Sequence, residues 1–190
     1  MLFRILSYAL FCFKKLSEKL RTWYWRRFIL MQGGEVGEDF RLLKGAFFSL
    51  EKGSKVKIGK GVTLAENTGV YVGPKGSLVL GSDVFIGRAS TLGANLEITV
   101  GAGTQIAHQV TLIDTDHRFD QTEKPLLQQG QVTAPIHIGC QTWIGANAVI
   151  LKGTTIGDHC VVGAGAIVTR EVPSATVTVG NPGRSRLISN

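Results

Sequence analysis

The sequence contains four histidines, and imidazole is the side chain best suited to exchange a proton near neutral pH. His117 stands in a polar segment between Asp114, Asp116 and Asp120. A neighbouring carboxylate can fix the tautomer of an imidazole and strengthen it as a base, and Asp114 and Asp116 are the candidates for that task. The residue types and their spacing make His117 a candidate general base, and an ordinary solvated loop histidine is the alternative.

Other chemistries find less support in the remaining residues. Three further histidines occupy regular repeat positions, where a surface side chain without a catalytic role is the simpler interpretation: His108, His137 and His159. Three cysteines show no Cys-x-x-Cys spacing, so we predict neither a disulfide framework nor a metal site and expect a reducing, cytoplasmic setting: Cys12, Cys140 and Cys160. A zinc enzyme stays open as an alternative, with His108 and His117 as the pair to consider.

The elements that must position His117 follow from an internal repeat. Six aliphatic residues recur at a six-residue interval, usually followed by glycine: Ile138, Ile144, Ile150, Ile156, Val162 and Val168. This period is too long for a helical turn and too regular for ordinary strand alternation. It predicts a triangular coil of about 18 residues, with one short strand on each side and a turn at each corner. The fold class is therefore all-β, a parallel β-helix.

The repeat also defines the organisation of the chain. Related units extend upstream from Ile58 with shifts of phase, which imply small insertions at corners. The pattern is interrupted at residues 113–135, and a polar excursion of this length in a tight solenoid is more often functional than accidental. We predict an N-terminal helix at residues 1–32, a β-helix at 33–186 with an extruded active-site loop at 113–135, and a tail at 187–190.

The N-terminal segment has its own charge and pattern. Residues 1–30 have a net charge of +6 of the +7 for the whole chain, and the rest is nearly neutral. A helical wheel places one apolar face opposite a basic one, with the apolar face formed by Leu2, Ile5, Leu6, Ala9, Phe13, Leu16, Leu20, Trp23 and Tyr24.

Two interpretations of this amphipathic helix stay open. It packs on the solenoid or on a partner subunit, or it binds anionic lipid at the cytoplasmic face of the membrane. The apolar stretch at residues 5–13 is too short to span a bilayer, which needs about 20 residues. No signal peptide is expected, because no small-residue cleavage site follows that stretch. The basic residues lie on an apolar-faced helix, which argues against nucleic acid binding.

The chain resembles the hexapeptide-repeat acetyltransferases over roughly residues 58–186. The segments with the most specific likeness are residues 112–117, 143–150, 156–158, 162–170 and 179–184. It is most similar to sugar O-acetyltransferases, such as galactoside and maltose acetyltransferases and polysaccharide-modifying relatives. The resemblance implies a left-handed coil, a homotrimer, and acetyl-CoA as co-substrate without a permanently bound cofactor. It also implies that His117 deprotonates the acceptor hydroxyl.

The same resemblance implies which residues meet the carrier. They lie along a groove between neighbouring subunits: Trp143, Gly145, Ala146, Ala164, Thr169, Arg170, Arg184 and Arg186. Arginines suit the phosphates of coenzyme A, although the family commonly has lysine where this chain has Arg170. Asn95, next to a break in the repeat phase, is a candidate to contact the acceptor.

These observations lead to a functional hypothesis with two alternatives. We expect transfer of an acetyl group from acetyl-CoA to a sugar hydroxyl, in surface polysaccharide or glycoconjugate biosynthesis. One alternative is N-acetylation of an amino sugar. The other is a non-catalytic β-helix that serves as a scaffold or binding module, which would leave the His117 segment and the arginines unexplained.

Overall fold

The computed structural model describes residues 2–188, with side chains described from residue 15 onward. One helix, α1 (Leu2–Met31), precedes a solenoid whose short strands form three parallel sheets, called here the first, second and third faces. The chain visits the faces in that order in each coil, turning at a first, a second and a third corner. The third corner returns it to the first face. The parallel β-helix predicted from the six-residue period is confirmed.

Each face is a stack of successive strands in parallel register. The first face contains β1 (Glu35–Val36), β4 (Lys55–Ile58), β7 (Ser77–Leu80), β10 (Glu97–Val100), β15 (Ile136–Ile138) and β18 (Thr155–Ile156). The second contains β2 (Arg41–Leu42), β5 (Thr63–Leu64), β8 (Phe85–Ile86), β11 (Gln105–Ile106), β16 (Trp143–Ile144), β19 (Val161–Val162), β21 (Thr176–Val179) and the antiparallel β22 (Arg184–Leu187). The third contains β3 (Phe47–Leu50), β6 (Gly69–Val72), β9 (Thr91–Ala94), β12 (Thr111–Ile113), β17 (Val149–Leu151) and β20 (Ile167–Val168).

The core consists of aliphatic columns, one for each face. On the second face the paired residues are all fully buried: Leu42, Leu64, Ile86, Ile106, Ile144 and Val162. Small or β-branched residues four positions after the repeat aliphatics are also buried, among them Thr142, Ala148 and Cys160. Thr142 Oγ1 donates to Gly157 O at 3.0 Å, so its hydroxyl is satisfied inside the stack. Stacking thus buries the apolar stripe and pairs the backbone at once.

Helix α1 ends at Met31 and closes the first coil. Gly33 adopts a left-handed φ of +82°, and the amide of Gly34 donates to Ile29 O at 3.0 Å, which is the Schellman arrangement of a helix C-terminus. Ile29 is fully buried, and the ring of Trp25 lies 5.6 Å from that of Phe48. The interpretation in which the helix packs on the solenoid is therefore correct for its C-terminal half.

The contact is made by the opposite side of the helix from the one its apolar pattern suggests. Arg21 Nε donates to Leu42 O at 3.1 Å, and Thr22 Oγ1 accepts the amide of Leu42 at 3.0 Å. Arg26 donates to Gly37 O at 2.9 Å. These polar side chains satisfy backbone groups of the first coil that no further coil covers. Within the described part of the chain, no helix is long and apolar enough to cross a membrane.

Candidate active site

The excursion at residues 113–135 is a hairpin that leaves the solenoid at the third corner. Strands β13 (Thr115–His117) and β14 (Gln131–Thr133) pair antiparallel, and the tip includes the 3-10 turn η1 (Leu126–Gln128). His117 lies opposite Gln131, at the outer end of β13. We expected a loop here, and the structure instead holds His117 on a strand. Its backbone is therefore fixed by the ladder.

Asp114 binds the backbone of a neighbouring turn. Its carboxylate is completely buried and accepts the amides of Asn95, Leu96 and Glu97, each at 2.8 Å. Three backbone donors fix this side chain in the turn between β9 and β10, directly beside the base of the hairpin. Among the described residues, the hydrogen bonds of the Asp114 carboxylate go to this turn and none joins it to the His117 ring, so its orienting role stays a prediction.

Asp116 is paired with a lysine that the sequence analysis did not single out. Its Oδ2 lies 3.0 Å from Nζ of Lys152, at the third corner one coil further along. Asp116 therefore links the hairpin to the solenoid, and among the described residues no hydrogen bond joins it to the His117 ring. The signal for Lys152 was the unit Ile150-Leu151, which lacks the usual glycine and so marks an altered corner.

The His117 ring is exposed at the mouth of a small pocket. Among residues 15–188 it makes no hydrogen bond or ion pair. The pocket has a volume of about 180 Å³ and is lined by Asp116, His117, Arg118, Phe119, Asp120, Val132 and Lys152. Nearby, the hydroxyl of Thr115 is buried and has no hydrogen-bond partner in the described part of the chain. The pocket thus offers a bound molecule an accessible imidazole beside the Asp116–Lys152 ion pair.

A second group of predicted residues lies at the second corner. Gly145, Ala146 and Ala164 stack there in adjacent coils, and Gly165 donates its amide to Ala146 O at 2.8 Å. A Cβ on Gly145 would lie 2.6 Å from the amide nitrogen of Ala164, so close stacking by itself requires glycine. The residues at this level of successive coils are Lys44, Glu66, Arg88, His108, Ala146 and Ala164. The corner therefore changes from long polar side chains to methyl groups in its last two coils.

The remaining predicted residues are distributed around the last coils. Trp143 faces outward from the second face and is exposed. Thr169 and Arg170 are exposed at the third corner, and Asn95 lies at the same corner below the hairpin. Arg184 and Arg186 are exposed on β22, which pairs with β21.

One chain therefore presents two separate groups. Asn95, His117 and Arg170 share the third corner, whereas Ala146 and Ala164 lie across the third face at the second corner. His108 also belongs to the second corner, so it does not converge with His117 as a metal pair would. Among the described residues there is no group of three or more His, Cys, Asp or Glu side chains placed to hold a metal ion.

Comparison with known proteins identifies the repeat. Residues 135–170 match the family model described as bacterial transferase hexapeptide (six repeats). The galactoside O-acetyltransferase of Escherichia coli is 42% identical over 88 residues, which make up 46% of this chain and 42% of that protein. The chain spans less than half the length of the curated relatives it matches first.

Two solved structures extend the likeness to the fold. A galactoside acetyltransferase in complex with coenzyme A is 29% identical with a TM-score of 0.57, covering 85% of this chain and 68% of that one. A variant of AntD, an N-acyltransferase from Bacillus cereus in complex with dTDP-4-amino-4,6-dideoxyglucose and coenzyme A, is 20% identical with a TM-score of 0.69. That match covers 82% of this chain and 84% of AntD. The resemblance to hexapeptide-repeat acetyltransferases is confirmed.

Proposed function

We propose that this protein of the hexapeptide-repeat transferase family uses acetyl-CoA to acetylate a hydroxyl group of a sugar, with His117 as general base. The role we assign it is in surface polysaccharide or glycoconjugate biosynthesis, in the cytoplasm. The observation that supports the proposal best is His117 itself. Its imidazole is exposed on a strand-held hairpin, at a pocket that also contains the Lys152 ammonium group. The match to a galactoside O-acetyltransferase over 88 residues supports the same chemistry.

The reaction needs one proton transfer in each direction. The unprotonated nitrogen of His117 takes the proton of the acceptor hydroxyl as its oxygen attacks the thioester carbonyl. The resulting tetrahedral intermediate collapses with cleavage of the carbon–sulfur bond, and the imidazolium returns its proton to the departing thiolate. The products are an acetyl ester and free coenzyme A. Because β13 is paired along its length, the ring begins each cycle from a fixed backbone position.

We propose that coenzyme A lies along the second corner of a neighbouring subunit. Ala146 and Ala164 leave that corner open in its last coils, whereas charged side chains fill it below. In a cyclic trimer each interface joins two different surfaces, so the second corner of one chain can face the third corner of the next. This arrangement would bring His117, at the third corner of one chain, to a carrier held at the second corner of its neighbour. Trp143, Thr169 and the arginines at positions 170, 184 and 186 then border the same groove.

The first experiment is calorimetric titration of acetyl-CoA into the purified protein, with free and desulfo-coenzyme A for comparison. Micromolar binding, about one carrier for each chain, is the expected result. Thiol release is then screened across sugar acceptors. No binding at millimolar carrier by folded protein would favour the scaffold alternative and make metal analysis the next measurement.

Replacement of His117 tests the assigned base. We expect His117→Ala to lower kcat by about 10²–10⁴-fold with little change in carrier affinity, because the ring acts on the acceptor proton. His159→Ala is the matched control, since His159 is an exposed histidine at the first corner, away from both groups. Turnover unchanged in the first variant, or equally reduced in the second, would contradict the assignment.

The nature of the product separates O- from N-acetylation. An acetyl ester is cleaved by alkaline hydroxylamine, whereas an acetamide is stable to it. Paired acceptors that differ only in a hydroxyl or an amine at one ring carbon give the comparison directly. Faster thiol release with the amine, and a hydroxylamine-stable product, would replace the O-acetyl proposal with its amino-sugar alternative.

A further inference from the structure

An amphipathic helix usually packs its apolar side on the protein, but helix α1 packs its more polar side on the solenoid. The residues that contact the first coil include Thr22, Arg21 and Arg26, together with Trp25 and Ile29. Glu18 also lies on this side, where it pairs with Arg41 at 2.9 Å. The apolar stripe defined by the sequence lies on the opposite side of the helix. From Leu16 onward, where side chains are described, the chain that carries this stripe leaves it exposed.

The exposed stripe is large and continuous. Leu16, Leu20 and Trp23 are 58%, 59% and 60% exposed, and Tyr24 and Met31 extend the same surface. These positions recur at intervals of three and four residues, so they form one face of the helix. We call this surface the outer face of α1. Leu2, Ile5, Leu6, Ala9 and Phe13 continue its pattern in sequence, although their side chains lie outside the described residues.

The charge around the outer face decides between two kinds of occupant. Arg27 lies within it, and Lys19 is exposed along its edge. The segment at residues 1–30 has a net charge of +6, whereas the other 160 residues together are nearly neutral. A second copy of the helix would bring like charges together, which opposes pairing. An anionic surface is attracted to the basic residues and can also accept the leucine and aromatic side chains.

We propose that the outer face of α1 binds the surface of an anionic lipid bilayer, with the helix lying in the plane of the interface. Leu16 and Leu20 enter the region between headgroups and acyl chains. Trp23 and Tyr24 occupy the headgroup level, where amphipathic aromatic rings are enriched at membrane surfaces. The docked side keeps its hydrogen bonds to the first coil, so the solenoid is held at the membrane without unfolding its cap. This inference does not depend on the acetyltransferase proposal.

Vesicle sedimentation of the full-length protein tests the proposal. Vesicles of phosphatidylcholine alone are compared with vesicles that also contain phosphatidylserine, at low and high salt. We expect sedimentation with the anionic vesicles, weakened by salt because exposed charges are screened. Leu20→Glu should weaken the association at least about tenfold. It removes a leucine that the bilayer would bury, and it adds a charge that the anionic lipid repels.

A matched variant separates the outer face from any exposed leucine. Leu187→Glu makes the same chemical change at a residue that is 75% exposed on β22, at the far end of the solenoid. It should leave vesicle binding unchanged, and both variants should keep the melting temperature of the parent protein. Full-length protein that does not sediment with anionic vesicles at low salt would overturn the proposal. So would equal binding by Leu20→Glu, or a Leu20→Glu variant that changes only the oligomeric mass.

Discussion

The solenoid and helix α1 both contain regularly spaced apolar residues, yet they bury them to opposite degrees. Leu92 and Ile106 in the solenoid are fully buried, whereas Leu20 and Trp23 in the helix are more than half exposed. In the solenoid each apolar residue meets its equivalent in the next coil, so the repeat supplies its own partner. The helix has no repeat, and its pattern alone does not determine what its apolar face contacts.

Backbone hydrogen bonding explains which side of the helix docks. The first coil has a terminal strand, β2, with no further coil beyond it, and Leu42 presents both its amide and its carbonyl there. Thr22 and Arg21 satisfy these two groups, which an apolar face could not do. An unpaired backbone group costs about 1–3 kcal/mol when it is buried. The unpaired backbone groups at the end of the first coil therefore favour docking by the polar side of the helix. The leucines consequently face outward.

The largest expected effect is the loss of a core leucine. Leu92→Ala should lower the free energy of unfolding by about 2–5 kcal/mol, because Leu92 is fully buried between its equivalents Val70 and Leu112. Leu20→Ala, the same change in the helix, should alter it by less than about 0.5 kcal/mol in the absence of lipid. Urea denaturation measures both. Equal losses would show that the outer face of α1 is buried in solution and would remove the contrast.

The sequence predicted the solenoid well because its physical cause is local and repeated. In a single unit such as Ile144-Gly145, the aliphatic residue predicts a buried side chain and the glycine predicts a tight corner. The next unit has the same pattern. His117 could be selected as the base candidate because it lies where the repeat stops. The partners of its neighbours could not be predicted, because the contacts of Asp114 and Asp116 depend on residues about 17 to 36 positions away.

The next expected effect concerns Asp114, which joins the regular and irregular parts of the solenoid. Asp114→Ala should lower the free energy of unfolding by about 2–3 kcal/mol, because three backbone amides would lose a charged, buried acceptor. Asp120→Ala is the control, since its carboxylate is exposed and makes a long ion pair, 3.6 Å, with Arg118. Its expected change is below about 0.5 kcal/mol. Similar values for the two variants would mean that the turn at residues 95–97 does not need the carboxylate.

The smallest expected effect tests whether helix and solenoid unfold together. Gly33 joins them with a φ of +82°, and a Cβ added there would meet no atom within 4 Å. Gly33→Ala therefore adds backbone strain without a clash and should lower the free energy of unfolding by about 1 kcal/mol. Gly33→Asn should lose less, because asparagine tolerates left-handed backbone better than alanine does.

Urea denaturation followed by circular dichroism and by tryptophan fluorescence reports on both regions. If Ala and Asn leave the main transition unchanged, the helix end releases before the solenoid unfolds, and the hydrogen bonds from Arg21 and Thr22 do not couple the two regions. A matching shift of both signals, larger for Ala, would instead make α1 a stable cap whose outer face is presented to the membrane by a rigid support.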